Sequence, residues 1–146
     1  MFKLVDHIGV ATRSIDASVD TLRKLGPVEL GELETIERYN LKARMVRTGD
    51  VPIELIEPLS EESNIHAFIE KRGEGLHHIA YRVDDIEQAL ARCREQGLRL
   101  IDEKPRPGYA EALVAFVHPK SVLGVLTELV QREPGKDQAP YAPDHH

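Results

Sequence analysis

The chain has 146 residues, one domain's length and enough for a sizeable core. It is 30% charged and 41% hydrophobic, with a net charge of −6, which excludes the basic face that nucleic-acid binding needs and leaves no apolar run of the roughly 20 residues that span a bilayer. A single cysteine, Cys93, forbids an internal disulfide framework, and the charged opening "MFKLVDHIGVATRSID" does not read as a secretory leader, so a cytoplasmic setting is expected.

Residues 7–11 alternate as a strand should. Ser14 or Asp16 then offers a helix N-cap, Val19, Leu22 and Leu25 form one helical stripe, and Gly26 suits the C-terminal end. Further strand-like runs follow at 29–33, 41–48 and 52–57, with "TGDVP" (48–52) as the turn between the last two. The segment 57–75 contains a short predicted helix at 64–71. The sequence then repeats itself. "HHIAYRVDDIEQALARCREQG" (77–97) matches "DHIGVATRSIDASVDTLRKLG" (6–26) at an offset of 71, so that His7 pairs with His78, Ile15 with Ile86 and Gly26 with Gly97. Asp84 or Asp85 caps the second helix, and Ile86, Ala89, Leu90 and Cys93 form its stripe. Strands are expected at 98–103, 112–118 and 125–131, with "HPKSVLG" (118–124) as the second counterpart of the turn. The reading is an α+β fold of two βαβββ modules, 4–57 and 76–131, within a domain of residues 1–132, followed by a proline-rich, loosely draped tail at 133–146.

Side-chain alternation separates the two adjacent histidines. Ile79, Tyr81 and Val83 share a large apolar face with His77, suited to packing on a helix. Ala80 and Arg82 share the opposite, small-residue face with His78, as Gly9 and Ala11 do with His7. His78 is therefore the site candidate, and His77 belongs to the packing face or the strand end. The last strand of each half also carries a carboxylate inside an apolar run, Glu54 in "IELIEP" and Glu128 in "VLTELVQ". An ionised carboxylate there is costly unless it is paired or metal-bound. Two imidazoles and two carboxylates would form a mixed nitrogen–oxygen site for a divalent metal such as Co, Mn, Ni, Zn or Fe(II). His66 and His118 have no repeat partner and default to surface roles, while Cys93, Tyr81 and Phe116 are expected in the core.

These features resemble the vicinal oxygen chelate superfamily of glyoxalase I, extradiol dioxygenases and bleomycin-binding proteins, and within it the methylmalonyl-CoA epimerase branch. The stretches "DHIGVAT", "IELIEPLSEESNIHAFIEKRGEGLHHIAYRVDDI" and "FVHPKSVLGVLTELVQ" carry the likeness. It implies two modules forming one open cleft, metal ligands at His7, Glu54, His78 and Glu128, Glu128 as an acid/base, Lys120 near an acyl-CoA substrate, and a homodimer. The implied reaction is 1,1-proton transfer at C2 of methylmalonyl-CoA through a metal-chelated enolate. A glyoxalase I-type lactoylglutathione lyase and a metal-free, antibiotic-sequestering binding protein are the other activities this fold suggests. One departure from the branch stands out: the strand place where its bacterial members carry a second acidic residue offers Lys42, Ala43 and Arg44, and Glu37 is the nearest carboxylate. The repeat suggests Glu54 as the substitute acid, on the strand related to that of Glu128.

Overall fold

The computed structural model describes residues 2–133 and 142–143. In chain order the elements are β1 (Phe2–Ala11), α1 (Ile15–Arg23), β2 (Glu29–Leu30), β3 (Glu34–Ile36), β4 (Leu41–Arg47), β5 (Ile53–Pro58), α2 (Asn64–Arg72), β6 (Gly75–Val83), α3 (Ile86–Glu95), β7 (Arg106–Pro107), β8 (Leu113–Val117), β9 (Thr127–Gln131) and β10 (Ala142–Pro143). The chain forms two compact units. One joins the residues up to His7 to those from His77 onward, and the other comprises Ile8–Leu76 with the short last strand.

In the unit that begins at Ile8, β1 runs parallel to β5, and β5 pairs antiparallel with β4, which in turn pairs with β2 and β3. Ser14 caps α1 by accepting the Ala17 amide, which settles the choice between Ser14 and Asp16. Lys24 rather than Gly26 is the C-cap, since α1 ends at Arg23, one residue short of where the end of α3 at Glu95 maps through the repeat. The stripe of α1 packs through Ile15, Val19 and half-buried Leu22 onto Val28, Val46 and Leu55, while Leu25, expected in the stripe, lies past the helix end and is exposed. The opposite face of the same strands, through Ala11 and Ile56, packs on Ile65 and Ile69 of α2, whose N-cap is Ser63.

The other unit repeats this plan. Here β6 runs parallel to β9, and β8 pairs antiparallel with β9 on one side and β7 on the other. Asp85 caps α3 by accepting the Gln88 amide, and Gly97 follows the helix in the left-handed conformation, as expected. Ile86, Ala89 and Leu90 pack on Val83, Ala115, Val117 and Leu129. Ala80, Ala112, Val114 and Val130 form a second cluster on the face away from α3.

Further expectations change. The run 29–33 breaks into β2 and β3, since Gly31 leaves the ladder while still donating to the Met45 carbonyl. The run 98–103 is not a strand: it touches β8 through one bridge, Leu100 to Val117, and through amide bonds such as Ile101 to the Phe116 carbonyl, and the strand in that region is β7. Tyr81 is only half-buried, with its ring 4.9 Å from that of exposed Phe2. Cys93 is half-buried against the α3 core, and burial pushes its thiol pKa up. Of the expected tail, all but Arg132-adjacent Glu133 and the pair Ala142–Pro143 lies outside the described residues, His145 and His146 included; that pair forms β10 antiparallel to β2. No helix among the described residues is long and apolar enough to cross a membrane.

Leu90 is almost wholly enclosed under α3. Leu90→Ala should cost about 2–5 kcal/mol, read as a lowered midpoint with unchanged slope in urea unfolding.

Candidate active site

Strand register decides which side chains share a face. Gly9 lies level with Glu54 in the β1–β5 pair, and Ala80 lies level with Glu128 in the β6–β9 pair. Because 9 + 71 = 80, the two glutamates occupy equivalent places in their units, although they stand at different distances along the chain from their histidines. Leu55 and Leu129, the next residues, pack on α1 and α3 respectively. Glu54 and Glu128 therefore project from the faces away from those helices. His78, two residues before Ala80, shares the face of Glu128, and His7, two residues before Gly9, shares that of Glu54. The face assignment made from alternation holds in both units.

Since β1 enters the unit of β6 through its first residues, His7 meets His78 and Glu128 there. The Nε2 atoms of the two histidines lie 3.1 Å apart. His7 Nε2 lies 3.1 Å from Glu128 Oε1, and His78 Nε2 lies 3.7 Å from the same oxygen. All three residues are buried. Glu54, in the other unit, is also buried, level with Met45 across the β4–β5 ladder.

Each histidine is held from behind by the residue before it in the chain. His7 Nδ1 lies 2.7 Å from Asp6 Oδ1, and His78 Nδ1 lies 2.8 Å from His77 Nδ1. Asp6 and His77 are themselves 71 residues apart, so the repeat extends one position further than the matched histidines suggest. His77 is thus a contact of His78 rather than an idle packing residue. Asp6 also accepts from Arg82 Nε at 2.8 Å and from Arg132 Nε and Nη2 at 2.9 and 2.8 Å. Phe116, level with Glu128 on β8, is not in the core: its ring meets that of His78 edge-on, with Arg106 over its own face. Asp6, Arg82, Arg132 and Phe116 were not singled out as site residues from sequence. The repeat held a signal only for Asp6, in the polar residue preceding each site histidine.

The electrostatics follow from this packing. Burial pushes the His78 pKa down to about 3, helped by His7 and His77 and opposed by Glu128, so its imidazole is neutral at neutral pH. Burial works against ionising Asp6 and Glu128, but hydrogen bonds overcome it. Those from His7 and Arg132 hold Asp6 far below the usual carboxylate range, and the His7 and His78 rings beside Glu128 lower its pKa. Two imidazole nitrogens thus face one another and an acceptor-only carboxylate oxygen at contact distance. Such a set requires a shared proton or a cation between its members, and these are the donor atoms a transition metal takes. The residues fit a metal.

At the strand place where the resemblance implies a second acid, Ala43 occupies the face shared with Glu54, level with Ile56. Lys42 pairs instead with Glu57 at 3.2 Å, and Arg44 donates to the Gly31 carbonyl. Glu37 is exposed in the turn between β3 and β4. Lys120 is exposed in the turn Pro119–Ser121, between β8 and β9. The Ile79 amide bonds the Leu126 carbonyl, so His78 lies at the end of the sheet where that turn stands.

Residues 6–116 match the Glyoxalase/Bleomycin resistance protein/Dioxygenase superfamily. The chain is 41% identical to the uncharacterized protein YqjC of Bacillus subtilis, over 92% of this chain and 94% of that one. It is 32% identical to the ethylmalonyl-CoA/methylmalonyl-CoA epimerase of Cereibacter sphaeroides, over 90% and 99%. The structure of a Streptomyces coelicolor methylmalonyl-CoA epimerase variant in complex with 2-nitronate-propionyl-CoA superposes with a TM-score of 0.86 at 33% identity, covering 92% of this chain and 97% of that one. The chain therefore belongs to this superfamily and is one of its epimerase-like enzymes.

A neutral buried His78 ties stability to pH. The unfolded chain protonates this residue below its ordinary value of 6.5, whereas the folded chain resists down to about 3. Stability is then complete above pH 6.5 and falls as pH drops, by up to about 1.4 kcal/mol per pH unit for one proton. Urea midpoints measured between pH 6 and pH 4 should fall more steeply for the wild type than for His78→Asn.

Proposed function

We propose that this superfamily member epimerises methylmalonyl-CoA or a close 2-substituted malonyl thioester, removing the C2 proton from one face and returning one to the other. The observation that carries the reading is the convergence of His7 Nε2 and His78 Nε2 on Glu128 Oε1, with Glu54 at the equivalent place of the other unit. His7, Glu54, His78 and Glu128 would hold a divalent metal (Co, Mn, Ni or Zn), which when bound supplies positive charge against the negative charge that develops on the thioester oxygen. An acyl-CoA substrate is supported by the ligand of the Streptomyces enzyme and by the activity of the Cereibacter relative. A homodimer is part of the same reading, checked by sedimentation.

The proton chemistry falls to carboxylates. A proton between a thioester carbonyl and a carboxylate is acidic enough for a glutamate to remove it once the developing charge is stabilised. One fixed carboxylate serves one face of a planar enolate, so inversion requires a second group. Glu128 is the first. With Ala43 on the strand face where another acid would stand, Glu54 is the second. Lys120, at the turn beside the His78 end of its sheet, would meet the anionic part of the substrate.

The test follows deuterium entry at C2 in heavy water. Wild-type protein should exchange both methylmalonyl-CoA epimers, lose this activity on chelation and regain it with Co, Mn, Ni or Zn. His78→Ala should lose the metal, while His77→Ala should keep it. Glu54→Gln and Glu128→Gln, once shown to hold metal, should each abolish epimerisation yet still exchange one epimer, a different one in each variant. Normal epimerisation by Glu54→Gln would reduce Glu54 to a ligand. Absence of exchange by the metal-loaded wild type would reject the epimerase reading.

A further inference from the structure

We propose that Asp6, clamped by Arg82 and Arg132, is a positioning residue that fixes which nitrogen of His7 faces Glu128 and His78. Its purpose rests on the metal-site reading above; its geometry does not. The Asp6 side chain is 1% exposed and takes four hydrogen bonds. Oδ2 receives the Nε–H groups of both arginines, and Oδ1 receives Arg132 Nη2 and His7 Nδ1. An ionised carboxylate only accepts, so the short contact to His7 requires a proton on Nδ1. In the neutral ring the lone pair is then on Nε2, the atom 3.1 Å from both Glu128 Oε1 and His78 Nε2. A metal ligand's other ring nitrogen commonly donates to a carboxylate in this way, which sets both ring orientation and basicity.

The arginines make the assignment stringent. A lone buried carboxylate would favour its neutral form and could then donate as well as accept. With two guanidinium groups on it, Asp6 has only the acceptor role. The same arrangement dictates what an asparagine would do at this position. Placed at Oδ2, the amide nitrogen would confront two arginine Nε–H donors. Placed at Oδ1, it would confront only Arg132 Nη2. The second orientation is the less conflicted, and it turns an N–H toward His7 Nδ1. That nitrogen must then accept, and the ring proton moves to Nε2, where it blocks a metal. The change is almost isosteric yet inverts the tautomer.

The experiment is long-range 15N–1H NMR of the imidazoles in metal-free protein at pH 8, with the His7 signals assigned by their loss in His7→Gln. The wild type should carry its His7 proton on Nδ1. Asp6→Asn should leave Nδ1 bare and place the proton on Nε2. Zinc and cobalt affinity, measured by calorimetry on the same samples, should drop 10- to 100-fold. A bare Nδ1 in the wild type overturns the proposal whether or not Asp6→Asn folds. So does a proton retained on Nδ1 in Asp6→Asn, or unchanged metal affinity after the tautomer has switched. A wild type that shows the Nδ1 proton but binds neither zinc nor cobalt would overturn the metal reading instead and leave the tautomer assignment standing.

Discussion

A parallel strand pair leaves no choice about which side chains share a face, and that constraint organises this protein twice over. With β1 beside β5 and β6 beside β9, each helix takes one face of its sheet through branched apolar residues, Leu55 and Val46 in one unit, Leu129 and Val117 in the other. The opposite face of each pair is left with small residues, Gly9 and Ala80, level with the two glutamates. A slip of one residue would carry Glu128 into the apolar cluster under α3 and bring Leu129 to the histidines. Helix packing and site assembly are thus enforced by the same register.

The second organising force is the handling of charge away from water. A buried carboxylate and a buried imidazole are each costly alone. Here they are arranged in series: two guanidinium groups on Asp6, Asp6 on His7, His7 on Glu128, His78 beside both, and His77 behind His78. Each member satisfies the next, so the cost of burying the outer charges is offset by the order they impose on the inner ones. Phe116 closes one flank of His78 with an aromatic edge, and so adds shielding without adding a competing hydrogen-bond partner.

Much of this was legible in the sequence because it depends on period. The offset of 71 exposes the modules, the period of two puts His78 on the face of Ala80 and Glu128, and the capping residues Ser14 and Asp85 mark the helix starts. What remained hidden depends on tertiary placement. The run 98–103 reads as a strand because its composition suits one, but in the structure it makes only scattered bonds to β8. Phe116 looks like core because an aromatic in an apolar run usually is, and only its register with Glu128 reveals its neighbour. Alternation puts Arg82 on the face of His78, but nothing local in the chain says that it and Arg132 reach the same carboxylate. Glu54 and Glu128 stand 47 and 50 residues after their histidines, and strand pairing rather than spacing makes them equivalent.

Residues 2–7 belong to the unit of the second module, and this sets what either half of the chain would lack alone. A fragment covering only the second half would keep His78 and Glu128 but lose Asp6 and His7, leaving Arg82 and Arg132 without the carboxylate they share. A fragment covering only the first half would keep Asp6 and His7 but lose those arginines. Neither half is self-sufficient in charge. The buried charges of Asp6, Arg82 and Arg132 are therefore matched only when residues from both ends of the chain meet in one unit.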